Sequence, residues 1–322
     1  MATAITVTDL HKSYGEFEAV RGISFEVEQG EVFALLGPNG AGKTTTCEIL
    51  EGFRDATSGT VEVLGHDPAR RERDFRERVG IVLQATGIDP YLTVAESIEM
   101  YRGYYPNPRP VDEVIEVVGL QQKRDERVIK LSGGQQRRLD VAIALAGDPE
   151  LLFLDEPTTG FDPGARRNAW EMIESLRGLG KTVLLTTHYM DEAQQLAQRV
   201  AIIARGEIVA EGTPATIGGR DTAKTLIRFR VPAGLDPRDS GVAELTVKDG
   251  VAELLTQSPT APLHALTGWA ADRGAELEGL SVSPRSLEDV YLELTGTAEG
   301  MGEEQQEAVP AGGRGSRRGR RG

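Results

Sequence analysis

A glycine-rich loop between an apolar run and a polar helix start has the clearest chemistry in this sequence. Residues 32–50 read VFALLGPNGAGKTTTCEIL, in which Gly37, Gly42, Lys43 and Thr44 have the spacing of a phosphate-binding loop. Glycines let successive backbone N–H groups curve around a phosphate, and a helix N-terminus adds free donors and the positive end of a dipole. The stretch therefore predicts a nucleoside triphosphate site.

The residues of this loop have different expected roles. Lys43 is expected to reach the β- and γ-phosphates, and the hydroxyl of Thr44 is expected to bind Mg²⁺. The complete set of predicted contacts to the nucleotide in this stretch is Gly37, Pro38, Asn39, Gly40, Ala41, Gly42, Lys43, Thr44 and Thr45.

Two carboxylates follow a second apolar run. Residues 151–154 read LLFL, which predicts a buried strand, and Asp155 and Glu156 come directly after it. A carboxylate at such a strand end suits Mg²⁺ binding, which we assign to Asp155. Glu156 is then placed to activate the water that attacks the γ-phosphate.

A second glycine-rich helix start lies at Ser132, Gly133, Gly134 and Gln135. By itself a Ser-Gly-Gly turn is typical of an ordinary helix N-cap. A helix start stripped of side chains is also a phosphate site. Since one nucleotide needs one cradle, we expect this second start to serve an additional phosphate or a second subunit.

Strands and helices alternate along the first two thirds of the chain, which predicts an α/β fold with a mostly parallel sheet and ligands at the carboxyl ends of its strands. Tyr14 is expected in a loop between the first two strands, and the segment 86–145 is expected to be a helical subdomain. The predicted strands span residues 4–10, 23–27, 32–36, 60–64, 79–83, 151–154, 182–187, 200–204 and 207–210.

The composition changes near residues 218–219. We expect a nucleotide-binding cassette over 1–217, a small α+β appendage over 218–296, and a disordered tail rich in Gly, Glu and Arg over 297–322. The appendage strands are predicted at 225–231, 243–247, 251–255 and 276–282, together with two helices.

The last helix of the appendage is expected to begin at Ser286 and to end at Gly296. Its apolar residues recur at helical spacing, which predicts a stripe that packs on the appendage sheet or on a partner. The members of this stripe are Leu287, Val290, Tyr291 and Leu294.

Charge and composition exclude several classes of protein. The formal net charge of the 322 residues is −14 although five arginines occupy the last nine positions, so a nucleic-acid-binding body is not expected. The single cysteine, Cys47, excludes a disulfide framework and suits a reducing compartment. No apolar run approaches the roughly 18 residues of a membrane span. The chain is therefore expected to be soluble, and a partner to supply any membrane spans.

The motif LSGGQ at 131–135 resembles the signature of ATP-binding cassette (ABC) transporter ATPases, and the resemblance extends over residues 4–212 with the motifs in the family's order. It implies a P-loop ABC cassette with a parallel sheet core, an antiparallel β subdomain and a helical subdomain. It also implies ATP and Mg²⁺ as ligands. Two copies would stack head to tail, so that Ser132 and Gly134 of one copy contact the γ-phosphate held by the other.

The same resemblance implies roles for isolated residues that would be weak signals alone. Tyr14 is similar to the aromatic residue that stacks on adenine, and Gln84 to the glutamine that senses Mg²⁺ and the attacking water. Asp162 resembles the aspartate of a loop that crosses between subunits, and His188 resembles the switch histidine at the γ-phosphate. Phe161 departs from the leucine common at its position but keeps an apolar side chain.

A narrower resemblance is to daunorubicin-resistance-type exporter ATPases, carried by LEGFR (50–54), SGTVEVLGHDP (58–68), LSGGQQRRLDVA (131–142) and SPRSLEDVYLELTG (283–296). It implies a separate membrane-spanning permease subunit, a position at the cytoplasmic face of the membrane, and export of a drug, antibiotic or amphipathic natural product. Two other interpretations stay open at this point. One is a soluble ABC ATPase that acts on DNA or ribosomes, and the other is a nucleotide-binding regulator without turnover.

Overall fold

The structure is a computed structural model that describes residues 2–82, 87–219, 225–284 and 287–295. Its strands are β1 Thr3–Tyr14, β2 Phe17–Glu28, β3 Val32–Leu36, β4 Ser58–Val63, β5 Val79–Val82, β6 Leu151–Asp155, β7 Thr182–Thr187, β8 Arg199–Ala204, β9 Glu207–Gly212, β10 Thr225–Arg230, β11 Thr246–Lys248, β12 Val251–Thr256 and β13 Ser281–Pro284. Its α-helices are α1 Lys43–Leu50, α2 Arg73–Arg78, α3 Val94–Arg102, α4 Val111–Val117, α5 Gly133–Leu145, α6 Pro163–Gly178, α7 Met190–Leu196, α8 Thr260–Asp272 and α9 Leu287–Thr295.

The central sheet has the order β5-β6-β7-β3-β8-β9, in which β9 alone pairs antiparallel to its neighbour. The expectation of a mostly parallel sheet is confirmed. Every residue of β3 and β7 is buried, because helices cover one face of this sheet and α1 together with the strands β1, β2 and β4 covers the other. Since β6, β7 and β3 are neighbours, the residues that follow their carboxyl ends meet at one edge.

A second, antiparallel sheet has the order β2-β1-β4. Its strands β1 and β2 are longer than the predicted strands and close into a hairpin, where Tyr14 pairs with Phe17. The expectation that Tyr14 lies in a loop is therefore wrong. The hairpin extends the ladder beyond the alternating apolar residues on which the prediction depended.

A helical segment joins β5 to β6 and contains α3, α4 and α5. Helix α3 begins with a capping box, in which Thr93 and Glu96 satisfy each other's backbone N–H groups. The apolar faces of α4 and α5 bury Val114, Ile115 and Leu139 in the main core. The described part of the segment 86–145 thus consists of helices and the loops that join them, and its bounds as a subdomain stay a prediction.

The third sheet, of order β11-β12-β10-β13, belongs to the appendage and packs against α8 around Ile227, Phe229 and Leu266. Two of its strands are displaced from the predicted positions. The left-handed backbone of Glu244 (φ +63°) breaks the strand expected at 243–247, which begins at Thr246 instead. Residues 277–280 form a turn through Gly279 (φ +65°), so the strand expected at 276–282 begins at Ser281.

Helix α9 packs on the cassette, and the expectation that its apolar stripe covers the appendage sheet or a partner is wrong. Leu287 and Tyr291 join the main core beside α7 and Ile217, because the helix docks against α7 and β9. A Cβ on Gly218 (φ +62°) would lie 2.3 Å from Val290 Cγ1, so glycine permits this close approach.

The stripe is one residue shorter than predicted. Leu294 is 39% exposed, since it lies a turn beyond the last docked residue, Tyr291. The expected caps of this helix, Ser286 and Gly296, and the tail at 297–322 lie outside the described residues. Within the parts of the chain that the structure describes, none of the helices is long and apolar enough to cross a bilayer.

Candidate nucleotide site

The glycine-rich loop is held by contacts that leave no room for side chains. The N–H of Gly37 donates to the carbonyl of Thr187 at the end of β7, at 3.2 Å. A Cβ at Gly37 would lie 2.4 Å from the carbonyl oxygen of Ile203, and one at Gly42 (φ +105°) would lie 2.6 Å from that of Ala19. The backbone of this loop is therefore fixed by glycine at two points.

Helix α1 begins directly after Gly42, which has no side chain to cap it. The first N–H groups of a helix lack intrahelical partners, and here they face the loop, which makes them donors for an anion. Thr44 is exposed on this first turn, whereas the hydroxyl of Thr46 donates back to the carbonyl of Gly42 at 2.9 Å.

Lys43 lies inside the curve of the loop and is 4% exposed. Its Nζ donates to the carbonyls of Gly37 at 2.8 Å and Pro38 at 3.1 Å, and lies 3.5 Å from Glu156 Oε1. Burial lowers the pKa of Lys43, and the neighbouring Glu156 carboxylate opposes that shift. The ammonium group thus occupies the centre of the predicted phosphate cradle.

Glu156 follows β6 and has a left-handed backbone, with φ +45°, which is uncommon for a residue with a side chain. Its Oε1 lies 3.3 Å from His188 Nδ1, and its Oε2 accepts a hydrogen bond from Thr159 at 3.0 Å. Burial raises the pKa of Glu156, but the Thr159 hydrogen bond and the charges of Lys43 and His188 outweigh it and leave the pKa below its usual value. The group is therefore a carboxylate at neutral pH.

Asp155 is the last residue of β6 and lies beside β7. Its Oδ1 accepts a hydrogen bond from the hydroxyl of Thr186, and its backbone carbonyl accepts one from Arg137 Nη2. These contacts hold the strand end in place. They also keep the Asp155 carboxylate next to Glu156, as the sequence predicts.

A cleft of about 630 Å³ joins the loop to the aromatic residues of the β1–β2 hairpin. Tyr14 is 42% exposed at its mouth, with Lys12 Nζ 5.2 Å and Arg54 Cζ 5.5 Å from the ring centroid. The cleft is lined by Tyr14, Phe17, Ala19, Asn39, Gly40, Gly42, Lys43, Thr44, Thr45, Glu156, Thr159 and His188.

The second glycine-rich helix start, at α5, lies in a different cleft. Ser132 Oγ accepts from the N–H of Gln135 at 3.3 Å, and Gln135 Oε1 accepts from the N–H of Ser132 at 3.0 Å, so a capping box closes this helix start. Ser132, Gly133 and Gly134 line a cleft of about 920 Å³. Within one chain, the structure does not bring them to the cleft that holds Lys43.

Asp162 also lies in this second cleft and serves as the N-cap of α6. Its Oδ1 accepts hydrogen bonds from the N–H groups of Gly164 at 2.8 Å and Ala165 at 2.9 Å. Glu156 and Thr159 line both clefts, so the acidic strand end lies between them. The remaining predicted residue, Gln84, lies outside the described residues.

Two residues of the site were missed by the sequence analysis. Thr159 binds the carboxylate of Glu156, and a hydroxyl three residues after an acidic group is a signal that could have been used. Arg137 reaches the end of β6 from the second turn of α5, and its burial could not be read from a polar helical run.

The site has the arrangement of a phosphate-loop nucleotide hydrolase. A strand leads through a glycine-rich loop into a helix, and carboxylates lie at the end of a neighbouring parallel strand.

Comparisons with known proteins specify the family. The family model described as ABC transporter matches residues 20–159, and the model described as ABC transporter domain-containing protein-like, C-terminal domain, matches residues 225–286. The chain is 41% identical over 300 residues to Nod factor export ATP-binding protein I of Paraburkholderia xenovorans (strain LB400), covering 91% of this chain and 97% of that protein. It is 39% identical to the protein of the same name from Sinorhizobium fredii (strain NBRC 101917 / NGR234), covering 91% of this chain and 86% of that one.

Solved structures of ATP-binding cassettes are similar to this structure. The structure is similar to cbiO1 from Clostridium perfringens, part of an ABC transporter complex, with a TM-score of 0.60 and 27% identity over 67% of this chain and 90% of that one. It is also similar to the ATP-binding cassette MJ0796 in its dimeric form with ADP and Pi, with a TM-score of 0.58 and 25% identity over 65% of this chain and 98% of that one. The chain belongs to the ABC transporter family and is the ATP-binding, ATP-hydrolysing subunit of an exporter. The interpretation as a nucleotide-binding regulator without turnover is thereby set aside.

Proposed function

We propose that this chain works as a head-to-tail homodimer at the cytoplasmic face of the membrane and powers export through a separate permease subunit. The observation that carries the ATP-hydrolysing part of this proposal is the convergence of Lys43, Glu156 and His188. Lys43 Nζ and His188 Nδ1 lie 3.5 Å and 3.3 Å from the same oxygen of Glu156. A cation for the phosphates, a carboxylate for the water and an imidazole beside it are the groups that γ-phosphate hydrolysis requires.

These three groups exchange partners when ATP binds. The Lys43 ammonium leaves the carbonyls of Gly37 and Pro38 for phosphate oxygens, which are stronger acceptors because they are charged. Glu156, relieved of Lys43, accepts a proton from the attacking water while Thr159 holds its other oxygen. His188, at the end of β7, donates towards the γ-phosphate. Tyr14 stacks on the adenine at the mouth of the cleft.

The residues present fit a Mg²⁺ ion. Mg²⁺ prefers hard oxygen ligands and is bound in such enzymes by one or two carboxylates together with substrate phosphates and water. Thr44 presents an exposed hydroxyl on the first turn of α1, and Asp155 presents a carboxylate held by Thr186. We assign these two residues and Gln84 to the ion, which when bound would neutralise the charge that develops on the phosphates.

The second glycine-rich helix start supports the head-to-tail arrangement. Ser132 and Gly134 lie in a cleft apart from Lys43 of the same chain, so they are available to an ATP held by another copy. Asp162, which starts α6 in that cleft, would face the second subunit. The ATP-binding cassette MJ0796, to which this chain is similar, has been solved as a dimer.

We also propose a division of the chain into domains and a class of cargo. We assign residues 1–217 to the cassette, 218–296 to an accessory domain and 297–322 to a tail. The relatives described above are named for Nod factor export, whereas the sequence resembles daunorubicin-resistance-type exporter ATPases. Both favour a drug, antibiotic or other amphipathic natural product as cargo over a macromolecular target such as DNA or ribosomes.

The test is reconstitution of the chain with a membrane subunit of about six apolar spans in proteoliposomes. Hydrolysis of ATP should rise when an amphipathic natural product is supplied, and that compound should move across the bilayer. Lys43→Ala protein in the same vesicles is the matched control. ATP turnover that ignores both the membrane subunit and every compound, but rises with nucleic acid, would contradict the transport assignment.

A further inference from the structure

Arg137 links the second glycine-rich helix start to the carboxylates at the end of β6. It lies on the second turn of α5 and is 8% exposed. Its Nη2 donates to the backbone carbonyl of Asp155 at 2.8 Å, and its Nη1 lies 3.9 Å from Asp140 Oδ2. One side chain therefore joins the helix that begins at Ser132 to the residue that precedes Glu156.

Burial makes this link costly to break. A guanidinium group loses much of its hydration free energy when it is buried, so it must keep its hydrogen-bond partners. The Asp140 side chain is only 10% exposed, and burial raises its pKa to about 7 while the Arg137 charge opposes that shift. Asp140 is one turn further along the same helix, so its carboxyl group lies within ion-pair range of the guanidinium on the α5 side.

The Arg137 link lies between the residue proposed to contact the other copy's ATP and the residue proposed to hydrolyse the ATP of its own chain. Ser132, Arg137 and Glu156 all line the cleft of about 920 Å³. Ser132 would contact the ATP of the other copy, whereas Glu156 would act on the ATP of its own chain. The Arg137 hydrogen bond connects α5 to the backbone of Asp155, which is one peptide bond from Glu156.

We propose that Arg137 is a positioning residue that couples the two ATP sites of a dimer. When Ser132 closes on the partner's ATP, Arg137 sets the backbone of Asp155 and so the carboxylate of Glu156 in its own chain. Each site then reaches full activity only when the other is occupied. This inference rests on the proposed head-to-tail pairing.

The test compares Arg137→Met with Arg138→Met, a matched control on the adjacent residue. Arg138 is half-buried and donates to the Gly119 carbonyl at 3.4 Å, away from β6. We expect Arg137→Met to lower kcat about tenfold, to leave the ATP Kd unchanged and to lower the Hill coefficient for ATP towards one. Arg138→Met should match the wild type, and Arg137→Lys, which keeps the charge and donors, should recover part of kcat.

A second variant separates positioning from folding. Arg137→Met alone leaves Asp140 buried without its cation, so the double variant R137M/D140N, which removes both charges, is measured beside it together with melting temperatures. A folded double variant with wild-type kcat and Hill coefficient overturns the proposal. A folded double variant with low kcat and a Hill coefficient near one supports it.

The head-to-tail pairing is tested separately by gel filtration of Glu156→Gln protein with ATP. Failure of that protein to dimerise overturns the pairing and with it the coupling. A normal ATP-bound dimer, combined with unchanged turnover in Arg137→Met, overturns the coupling alone.

Discussion

Two glycine-rich helix starts, at α1 and α5, have similar sequences and different structures. At α1 the N-cap position is Gly42, so the first N–H groups lie open beside Lys43. At α5 the N-cap is Ser132, and a capping box with Gln135 satisfies two of the corresponding groups within the helix. The first start leaves its N–H groups uncapped by any side chain, whereas the second is already stabilised by its own side chains.

The difference explains why we assign one glycine-rich turn to the nucleotide and propose that the other completes a site. Free N–H groups and a buried lysine make α1 a site for a multiply charged anion. The α5 start has no lysine in its motif, and its serine hydroxyl can donate to a phosphate while it accepts from Gln135, because a hydroxyl does both. We therefore expect α5 to contact only a phosphate that is held elsewhere.

The largest effect is expected from a substitution that leaves both helix starts intact and removes the carboxylate between them. Glu156→Gln should lower the ATP hydrolysis rate by about 10² to 10⁴-fold, since an amide cannot accept the proton of the attacking water. ATP binding should persist, because Lys43 loses only a competing partner. The measurement is steady-state phosphate release together with gel filtration in ATP, where a dimer should accumulate. Glu171→Gln, on the exposed face of α6, is the control. Near wild-type turnover in Glu156→Gln protein would contradict the assignment of Glu156 as the general base.

Lys43→Ala breaks the α1 start and should weaken ATP binding about 100-fold, because a buried, charge-assisted contact to the phosphates is lost. Fluorescent ATP titration measures the effect. Lys130→Ala, which removes an exposed lysine paired with Glu126, should leave affinity unchanged. If Lys43→Ala binds ATP as tightly as the control, the loop is not the nucleotide cradle.

Mixing two inactive proteins tests whether the two starts act on one ATP from different chains. Ser132→Arg protein and Lys43→Ala protein should each be inactive. In an equal mixture half of the dimers are mixed and each has one intact site, so about a quarter of wild-type activity is the upper limit of recovery. Recovery should be measurable but below that limit, because the other site of a mixed dimer cannot hold ATP and the coupling proposed for Arg137 is then lost. Activity that never exceeds the sum of the two mutants, despite proven mixed dimers, argues for a site within one chain.

The smallest effect separates capping from phosphate contact at α5. Ser132→Ala should lower the free energy of unfolding by about 1 kcal/mol, as loss of an N-cap does, and should also lower ATP turnover. Thr93→Ala removes the equivalent capping box of α3 and should cost similar stability without affecting turnover. Urea denaturation and ATPase assays measure the two quantities. If ATP turnover is equal in the two variants, Ser132 acts only as a helix cap and does not contact the phosphate.

The appendage was harder to predict than the cassette. The strand bounds at β3 and β7 and the start of α1 match the predictions, because buried parallel strands are unbroken apolar runs and the loop motif marks the helix. In the appendage, left-handed residues such as Glu244 interrupt strands without any signal in the residue type. The stripe of α9 was correctly assigned to a helix, but its partner was not, since amphipathicity shows that a face is buried and not what covers it.

What the sequence by itself determined is the local chemistry: which residues form the phosphate loop, which carboxylates follow β6, and which turns start helices with glycine. These depend on residue type and on spacing along a few residues. The tertiary structure alone decided that Lys43 and His188 meet at one oxygen of Glu156. It also decided that Arg137 reaches the Asp155 carbonyl and that α9 docks on α7. Such contacts join segments far apart in the chain, and their distances depend on how sheet and helices pack together and not on any one stretch of sequence.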